Sequence, residues 1–202
     1  MVSVKARHGC LIKTIIFSMQ YIYKYSSPLG GMTLASDGDA ITGAWFDGQK
    51  YFGATLKGER READLLIFSE AAAWLDRYFR GERPGTLPAI RLEGSAFRMA
   101  VWDILRQIPY GQVVTYGWIA EAIARKLGLK HMSAQAVGGA VGHNPVSIFV
   151  PCHRVVGSGG SLTGYAGGMD RKVRLLEIEG HGVVQKSADN FSITRKMFNF
   201  AP

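Results

Sequence analysis

The stretch FVPCHRVVG, residues 149–157, sets a cysteine beside a histidine and an arginine, directly after a proline. A thiolate is the most nucleophilic common side chain near neutral pH, and its reactivity depends on both pKa and access. Pro151 fixes the local backbone, so Cys152 is expected at the end of a rigid element, with VSIFV (146–150) as a short buried strand leading into it. His153 could take the thiol proton directly or through a water, and Arg154 could favour negative charge or organise a carboxylate. Adjacent side chains on a strand face opposite ways, so a Cys–His contact requires a turn or a water relay. On local chemistry alone, an inert buried thiol beside a surface His–Arg pair stays open as the alternative.

Two further segments could complete a site. VVGSGGSLTGYAGGMDRK (155–172) is rich in glycine but matches no phosphate-binding pattern, and it reads as an ordered loop lining a pocket. Its small residues would let a planar substrate approach the backbone, with aromatic contact from Tyr165 or Tyr116. The following RKVRLLEIEG is a helix anchored by Val173 and Leu176; Glu179 lies on a similar face and, if inward, could orient His153. Upstream, Ser133 can cap a helix over AQAVGGAVG, whose Gly138–Gly139 pair costs roughly 2 kcal/mol of helix propensity relative to alanine. So smooth a surface suits close packing against another helix, or against a groove wall or nucleic-acid backbone.

The elements that must position these residues fall into two parts. QYIYKYSS, GMTLAS and AITGAWF, separated by PLG and SDGD turns, predict a short antiparallel meander. READLLIFSEAAAWLDRYFRG reads as a helix, with Ala63, Leu66, Ile67, Ala71, Trp74, Leu75 and Tyr78 on one apolar stripe that packs on the sheet. GERPGTLPAIRLEG (81–94) is the connector. Beyond it, Ser95 caps a helix carrying Phe97, Val101, Trp102 and Leu105, and a further helix covers 117–127, with Trp118, Ile119, Ala122, Ile123 and Leu127 facing the core. Helix, tight turn and second helix in a basic context permit a helix-turn-helix reading. The expected architecture is therefore an α/β N-terminal domain with a short antiparallel sheet, followed by a mainly helical, winged-helix-like C-terminal domain.

Composition narrows the classes. The chain has 202 residues, 47% of them hydrophobic, enough for a normal core. No run approaches the ~20 apolar residues of a membrane span, and CLIKTIIF (10–17), broken by Lys13, is a poor secretory signal. Two cysteines, Cys10 and Cys152, make no disulfide scaffold, and the reduced cytoplasm is the expected compartment. The formal charge of +8 is spread along the chain; it permits a polyanionic partner without establishing one.

Taken in order, VWDILRQIPYGQVVTYGWIA, AQAVGGAVGHNPVSIFVPCHRVVG and GSLTGYAGGMDRKVRLLEIEG closely resemble the O6-alkylguanine-DNA alkyltransferases, the methylated-DNA–protein cysteine methyltransferases. SPLGGMTLASDGDAITGAWFDGQKYF resembles their N-terminal domain, so the likeness spans about residues 20–180. It implies an extension (1–19), a ribonuclease-H-like domain (20–90), a DNA-binding and alkyl-acceptor domain (91–180) and a tail (181–202), the last without an assigned role. Met19 offers an alternative start, and Cys10 falls outside the likeness.

The resemblance implies that Cys152 takes an alkyl group irreversibly from O6 of guanine in duplex DNA, and in some members from O4-alkylthymine. His153 maps as the water-linked base, Glu179 as its orienting carboxylate, Asn144 as part of the surrounding network and Tyr165 as the hydroxyl assisting the leaving guanine. Tyr116 maps to nucleotide rotation, and the backbone near Val155 and Ala166 to contact with the flipped base. The helix from Ser133 through Ala134, Gln135, Ala136, Gly138 and Gly139 maps to a recognition helix in the minor groove. One departure stands out: the arginine that fills the gap left by the flipped base is here Gln135, which lacks the fixed charge and planar fork, so weaker or more salt-sensitive flipping is expected. No cofactor and no zinc are implied, and a monomer is the default. The competing classes are a noncatalytic binding module for alkylated DNA and an unrelated cysteine hydrolase.

Overall fold

The computed structural model describes residues 19–187 and 190–194; Cys10 lies outside them. The N-terminal unit is a sheet of strands β1 (Gln20–Ser27), β2 (Gly30–Ser36), β3 (Ile41–Phe46) and β4 (Arg60–Glu62), in the order β3-β2-β1-β4. The first three form the expected antiparallel meander, and β4 adds in parallel to β1. Helix α1 (Leu66–Phe79) packs on this sheet through Ile67, Phe68, Ala71, Trp74, Leu75 and Tyr78.

The start of that helix differs from its expected place. Arg60–Glu62 pairs with β1, and the Ala63 N–H still donates to the Ile22 carbonyl. A helix cannot begin until that ladder ends, so Leu65 takes the extended cap position and Leu66, read as a core position, is left 76% exposed.

After the connector come α2 (Ala96–Gln107), β5 (Val114–Thr115), α3 (Tyr116–Leu127), α4 (Ala134–Gly142), β6 (Val155–Val156), β7 (Ser161–Leu162) and α5 (Met169–Ile178). Ser95, Thr115 and Ser133 each accept a hydrogen bond from the N–H three residues on, capping α2, α3 and α4. Gly128, at φ 66°, closes α3 in the left-handed conformation and turns the chain toward α4. Leu127, beside that turn, is exposed rather than in the core. Strands β5 and β6 pair in parallel as a two-stranded sheet, and β8 (Val183–Ser187) and β9 (Asn190–Ile193) form a hairpin that joins β7 in a three-stranded one, ordered β7-β9-β8.

The two parts share a seam. Ala44 on the free edge of β3 donates to Pro145 (2.9 Å) and accepts from Ser147 (2.8 Å), while Ile41 exchanges hydrogen bonds with Ala89 and Arg91 of the connector. One hydrophobic cluster runs through both parts, from Met32, Phe46 and Tyr78 to Trp102, Phe149 and Cys152.

Candidate active site

The chain approaches the cysteine through two tight turns. The Phe149 N–H donates to the Ser147 carbonyl (3.0 Å) around Ile148, whose φ of 72° is unusual for a β-branched residue. The Cys152 N–H donates to the Val150 carbonyl (2.8 Å) around Pro151, at φ −81° and ψ 63°. Residues 146–150 are therefore not the continuous strand expected; only isolated bridges, Ala44 with Val146 and Ser147 with Val150, remain of it. Backbone strain of this kind costs on the order of 1–3 kcal/mol, and the burial of Ile148, Phe149 and Val150 in the shared core holds it in place.

The outcome is a single 3₁₀ turn over Cys152–Arg154, all three residues buried. On a strand, His153 and Arg154 would face apart; on this turn both reach one carboxylate. Glu179 caps the end of α5 and lies buried between them. Its Oε1 accepts from His153 Nε2 (2.7 Å), the Tyr78 hydroxyl (2.9 Å) and Arg154 Nη2 (2.9 Å), and its Oε2 from Arg154 Nε (2.9 Å) and the Gly111 N–H (3.0 Å). Burial would raise this carboxyl's pKa, but His153 and Arg154 outweigh it and hold the group well below the usual carboxylate range. Arg154 also donates to the Ile108 carbonyl (2.7 Å), which anchors the guanidinium.

This cluster fixes the form of the imidazole. With Glu179 accepting at Nε2, the proton sits there and Nδ1 carries the lone pair; Nδ1 is buried with no hydrogen-bond partner among the described residues. Burial lowers the His153 pKa, against the pull of Glu179. A neutral imidazole with a free Nδ1 is a base waiting for a proton, and the carboxylate behind it stabilises the cation that would form.

The thiol is held separately. Asn144 donates from Nδ2 to Cys152 Sγ (3.1 Å) and to the Val150 carbonyl (2.8 Å), while its Oδ1 accepts from Val146 N–H (3.1 Å). Burial pushes the Cys152 thiol up; the Asn144 hydrogen bond, the Lys172 charge and nearby backbone N–H groups pull the other way. Lys172 is fully buried, with its ammonium on the carbonyls of Val155 (2.7 Å), Thr163 (3.0 Å) and Gly164 (3.3 Å). Burial lowers its pKa to about 8, the Cys152 charge opposing. At rest the sulfur is a protonated thiol with a charge partner ready for its anion.

Cys152 forms part of the wall of a cavity of about 800 Å³, shared with Tyr116, Gln135, Gly138, Ser158 and Tyr165 among others. Tyr165 is half-buried; its hydroxyl is shielded and lies toward Ser147 without a well-aligned hydrogen bond. Burial keeps its pKa well above the ordinary tyrosine value, so it stays a donor. The Tyr116 hydroxyl donates across the cavity mouth to the carbonyl of Thr163 (3.2 Å) and more weakly to that of Gly164 (3.4 Å), and burial raises its pKa to about 12.

One wall of the cavity is α4. Val137, Ala140 and Val141 bury its inner face, whereas Ala134, Gln135, Ala136 and Gly139 are exposed. A Cβ on Gly139 would meet nothing within 4 Å, and one on Gly138 only the Tyr116 ring at 3.8 Å. Packing among the described residues therefore does not call for this glycine pair, despite its cost to the helix.

The structure thus brings Cys152, Tyr165, Tyr116, Ala166, Ala134, Gln135, Gly138 and Gly139 around one cavity, with Asn144, His153 and Glu179 buried behind it. Ser133 and Ala136 stand at the exposed start of α4, outside the cavity lining. Val155 is buried with its carbonyl on Lys172, and Gly157 and Ser158 form the adjoining wall. Arg154 organises a carboxylate, one of its two expected uses, and that carboxylate is Glu179; sequence reasoning missed Lys172 and the role of Tyr78. The signal for Lys172 was its spacing: with Leu175, Leu176 and Glu179 it completes the buried i, i+3, i+4, i+7 face of α5. Among the described residues no three His, Cys, Asp or Glu gather as a metal site, and no helix is long and apolar enough to cross a membrane.

Residues 20–90 match the family model of the 6-O-methylguanine DNA methyltransferase ribonuclease-like domain, and residues 96–181 that of the DNA-binding domain of the same proteins. A methylated-DNA–protein-cysteine methyltransferase of Haemophilus influenzae is 37% identical over 175 residues, covering 86% of this chain and 93% of its own. The corresponding protein of Mycobacterium bovis is 42% identical over 153 residues, covering 76% and 88%. In three dimensions, the O6-methylguanine methyltransferase of Mycobacterium tuberculosis superposes with a TM-score of 0.67 at 40% identity, covering 80% of this chain and 93% of that one. The same enzyme in complex with DNA gives the same score over 92% of its chain. A thiol set in a cavity wall and backed by a His–Glu–Arg cluster is therefore no isolated coincidence of geometry: the chain belongs to the methylated-DNA–protein-cysteine methyltransferase family.

Proposed function

We propose that the protein repairs alkylated DNA by moving an alkyl group from O6 of guanine to Cys152 Sγ, once per molecule. The observation that carries this is the thiol itself: a buried sulfur held by Asn144 in the wall of a cavity that opens beside α4. Among the described residues no neighbour requires the glycine pair of α4, which supports close approach of a nucleic-acid backbone there. The DNA-bound relative has the same overall fold. A base inside a duplex cannot reach an enclosed sulfur, so the damaged nucleotide turns out into the cavity. Gln135, exposed at the start of α4, fills the gap it leaves.

In the reaction the S–C bond forms as the C–O6 bond breaks. The thiol proton passes through a water to His153 Nδ1, and Glu179 stabilises the imidazolium at Nε2. Lys172 favours the sulfur anion as it develops. Tyr165, kept protonated by burial, donates to the departing guanine. The resulting thioether has no route back to a thiol here, so turnover stops at one.

Intact-mass spectrometry after incubation with a duplex carrying O6-methylguanine tests the proposal. One added methyl per chain, mapped to Cys152 and lost in Cys152→Ser, is expected. Tight lesion binding with unmodified protein would instead establish a noncatalytic binding module, and turnover of an ester or amide through Cys152 would establish a hydrolase.

A further inference from the structure

The match to the family model ends at residue 181, yet the chain beyond it pairs with the loop that borders the cavity. Strand β9 pairs antiparallel with β7, Ser192 opposite Ser161 and Phe191 opposite Leu162. Strand β7 is the outer edge of the loop whose neighbouring residues, Gly157, Ser158, Thr163 and Gly164, line the cavity. The base of that loop is closed by the Gly157 N–H on the Ser161 carbonyl (2.7 Å).

Side chains fasten the same joint. Ile193 is buried with Leu162, Val156, Val113 and Leu176 in a cluster separate from the main core. Gly160, at φ 78°, lies directly under it: a Cβ there would stand 2.9 Å from Ile193 Cγ1. Across the loop, the carbonyls of Thr163 and Gly164 receive the Lys172 ammonium and the Tyr116 hydroxyl. The loop is thus gripped from both sides, and on the outer side β9 supplies the strand pairing and Ile193.

We infer that the C-terminal hairpin is a positioning element of the alkyl-transfer site: β9 holds the 157–168 loop in the shape that seats the extruded base against Cys152. The inference rests on the alkyl-transfer reading above. It places Ile193 and Phe191 among the residues that set reaction rate through the loop, without touching substrate. Binding to undamaged DNA, which falls to α4, is not their task.

The test uses the full chain with Ile193→Asp, Ile193→Ala and Ile193→Val. Single-turnover methyl transfer on a lesion duplex is compared with affinity for the undamaged duplex, and amide hydrogen exchange follows residues 157–165. Ile193→Asp is expected to exchange faster at Ser161 and Leu162 and to lose at least tenfold in the maximal transfer rate. Half-saturation by DNA should stay within about twofold, and Ile193→Val should restore the rate. Faster loop exchange with a wild-type transfer rate would overturn the inference. If Ile193→Asp does not fold, Ile193→Ala and the wild-type exchange decide: Ser161 and Leu162 must be protected together with β9, and unprotected loop amides would equally overturn it. A wild-type chain that forms no Cys152 adduct would sink the alkyl-transfer reading instead, an outcome told apart by the unmodified protein alone.

Discussion

Replacing Glu179 by glutamine changes one atom and reverses the logic of the site. In the wild type both carboxylate oxygens only accept, from His153, Tyr78, Arg154 and Gly111. The amide must point its NH₂ one way or the other. Toward Gly111 and Arg154 Nε, it sets donor against donor. Toward His153 and Tyr78, it turns Nε2 into an acceptor and moves the imidazole proton to Nδ1, which can then no longer take a proton from the thiol side. Either way Arg154, 8% exposed, loses its counter-charge. Breaking one side of a buried pair costs about 3–5 kcal/mol, and misplacing a general base costs about 10²–10⁴ in rate. We therefore expect Glu179→Gln to fall by about 10²–10³ in single-turnover methyl transfer at pH 7 and to lose on the order of 10 °C in Tm. Acid sensitivity gives an independent check. The folded pKa of Glu179 is depressed, so its stabilisation is complete above the unfolded value of about 4.3 and fades as pH falls below it. The variant should lack that part of the acid slope. Transfer is measured at 15 °C by quenched mixing and intact mass, with circular dichroism showing folded protein. A folded Glu179→Gln that transfers within threefold of wild type would refute the assignment of His153 as base and Glu179 as its support.

Other outcomes follow from the same geometry. In a Cys152→Ser background, urea midpoints should rise between pH 8 and 9.5, because Lys172 sheds its proton more readily folded (pKa about 8) than unfolded, and Lys172→Met should flatten that slope. At Ile148 the usual ranking of alanine over glycine should invert, Ile148→Gly being more stable than Ile148→Ala by about 1 kcal/mol in urea unfolding, because only glycine accepts a φ of 72° without strain. Gly139→Ala should raise stability by up to about 1 kcal/mol, since its methyl meets no protein atom, while weakening duplex affinity in fluorescence anisotropy. Gln135→Arg should speed transfer on duplex DNA and reduce its loss with added salt, while leaving reaction with free O6-benzylguanine unchanged; equal rates and equal salt slopes would remove any role for Gln135 in base extrusion.

What could be read from the sequence was whatever a local rule determines. Ser95 and Ser133 announce helix starts because a hydroxyl one step before an apolar repeat has few other uses. The pairing of His153 with Glu179 was open from the helix face alone, because it required Glu179 to point inward, and the resemblance narrowed it; 26 residues separate the two and no periodicity connects a turn to a helix end. The path through 146–150 was misread because an apolar, β-branched run favours a strand; the seam to β3 and the shared core impose two turns on it instead. Lys172 was passed over because a cation in a polar-looking helix start reads as solvated, although its spacing placed it on the buried face. The hairpin beyond Glu179 offered short, weakly alternating strands, and only their pairing with β7 reveals them.

The seam along β3 has a consequence for how this molecule can be taken apart. The peptide that carries the reactive sulfur borrows its backbone partners from Ala44, and the connector borrows its own from Ile41. Cutting the chain in the glycine- and proline-rich turn near residues 83–88 would therefore sever a covalent link without separating the pieces, because main-chain hydrogen bonds and one common core still join them. Conversely, the C-terminal portion expressed by itself would present an unpaired, strained approach to its own cysteine. Residues 20–90 are less a neighbouring domain than the missing edge against which the nucleophile is set.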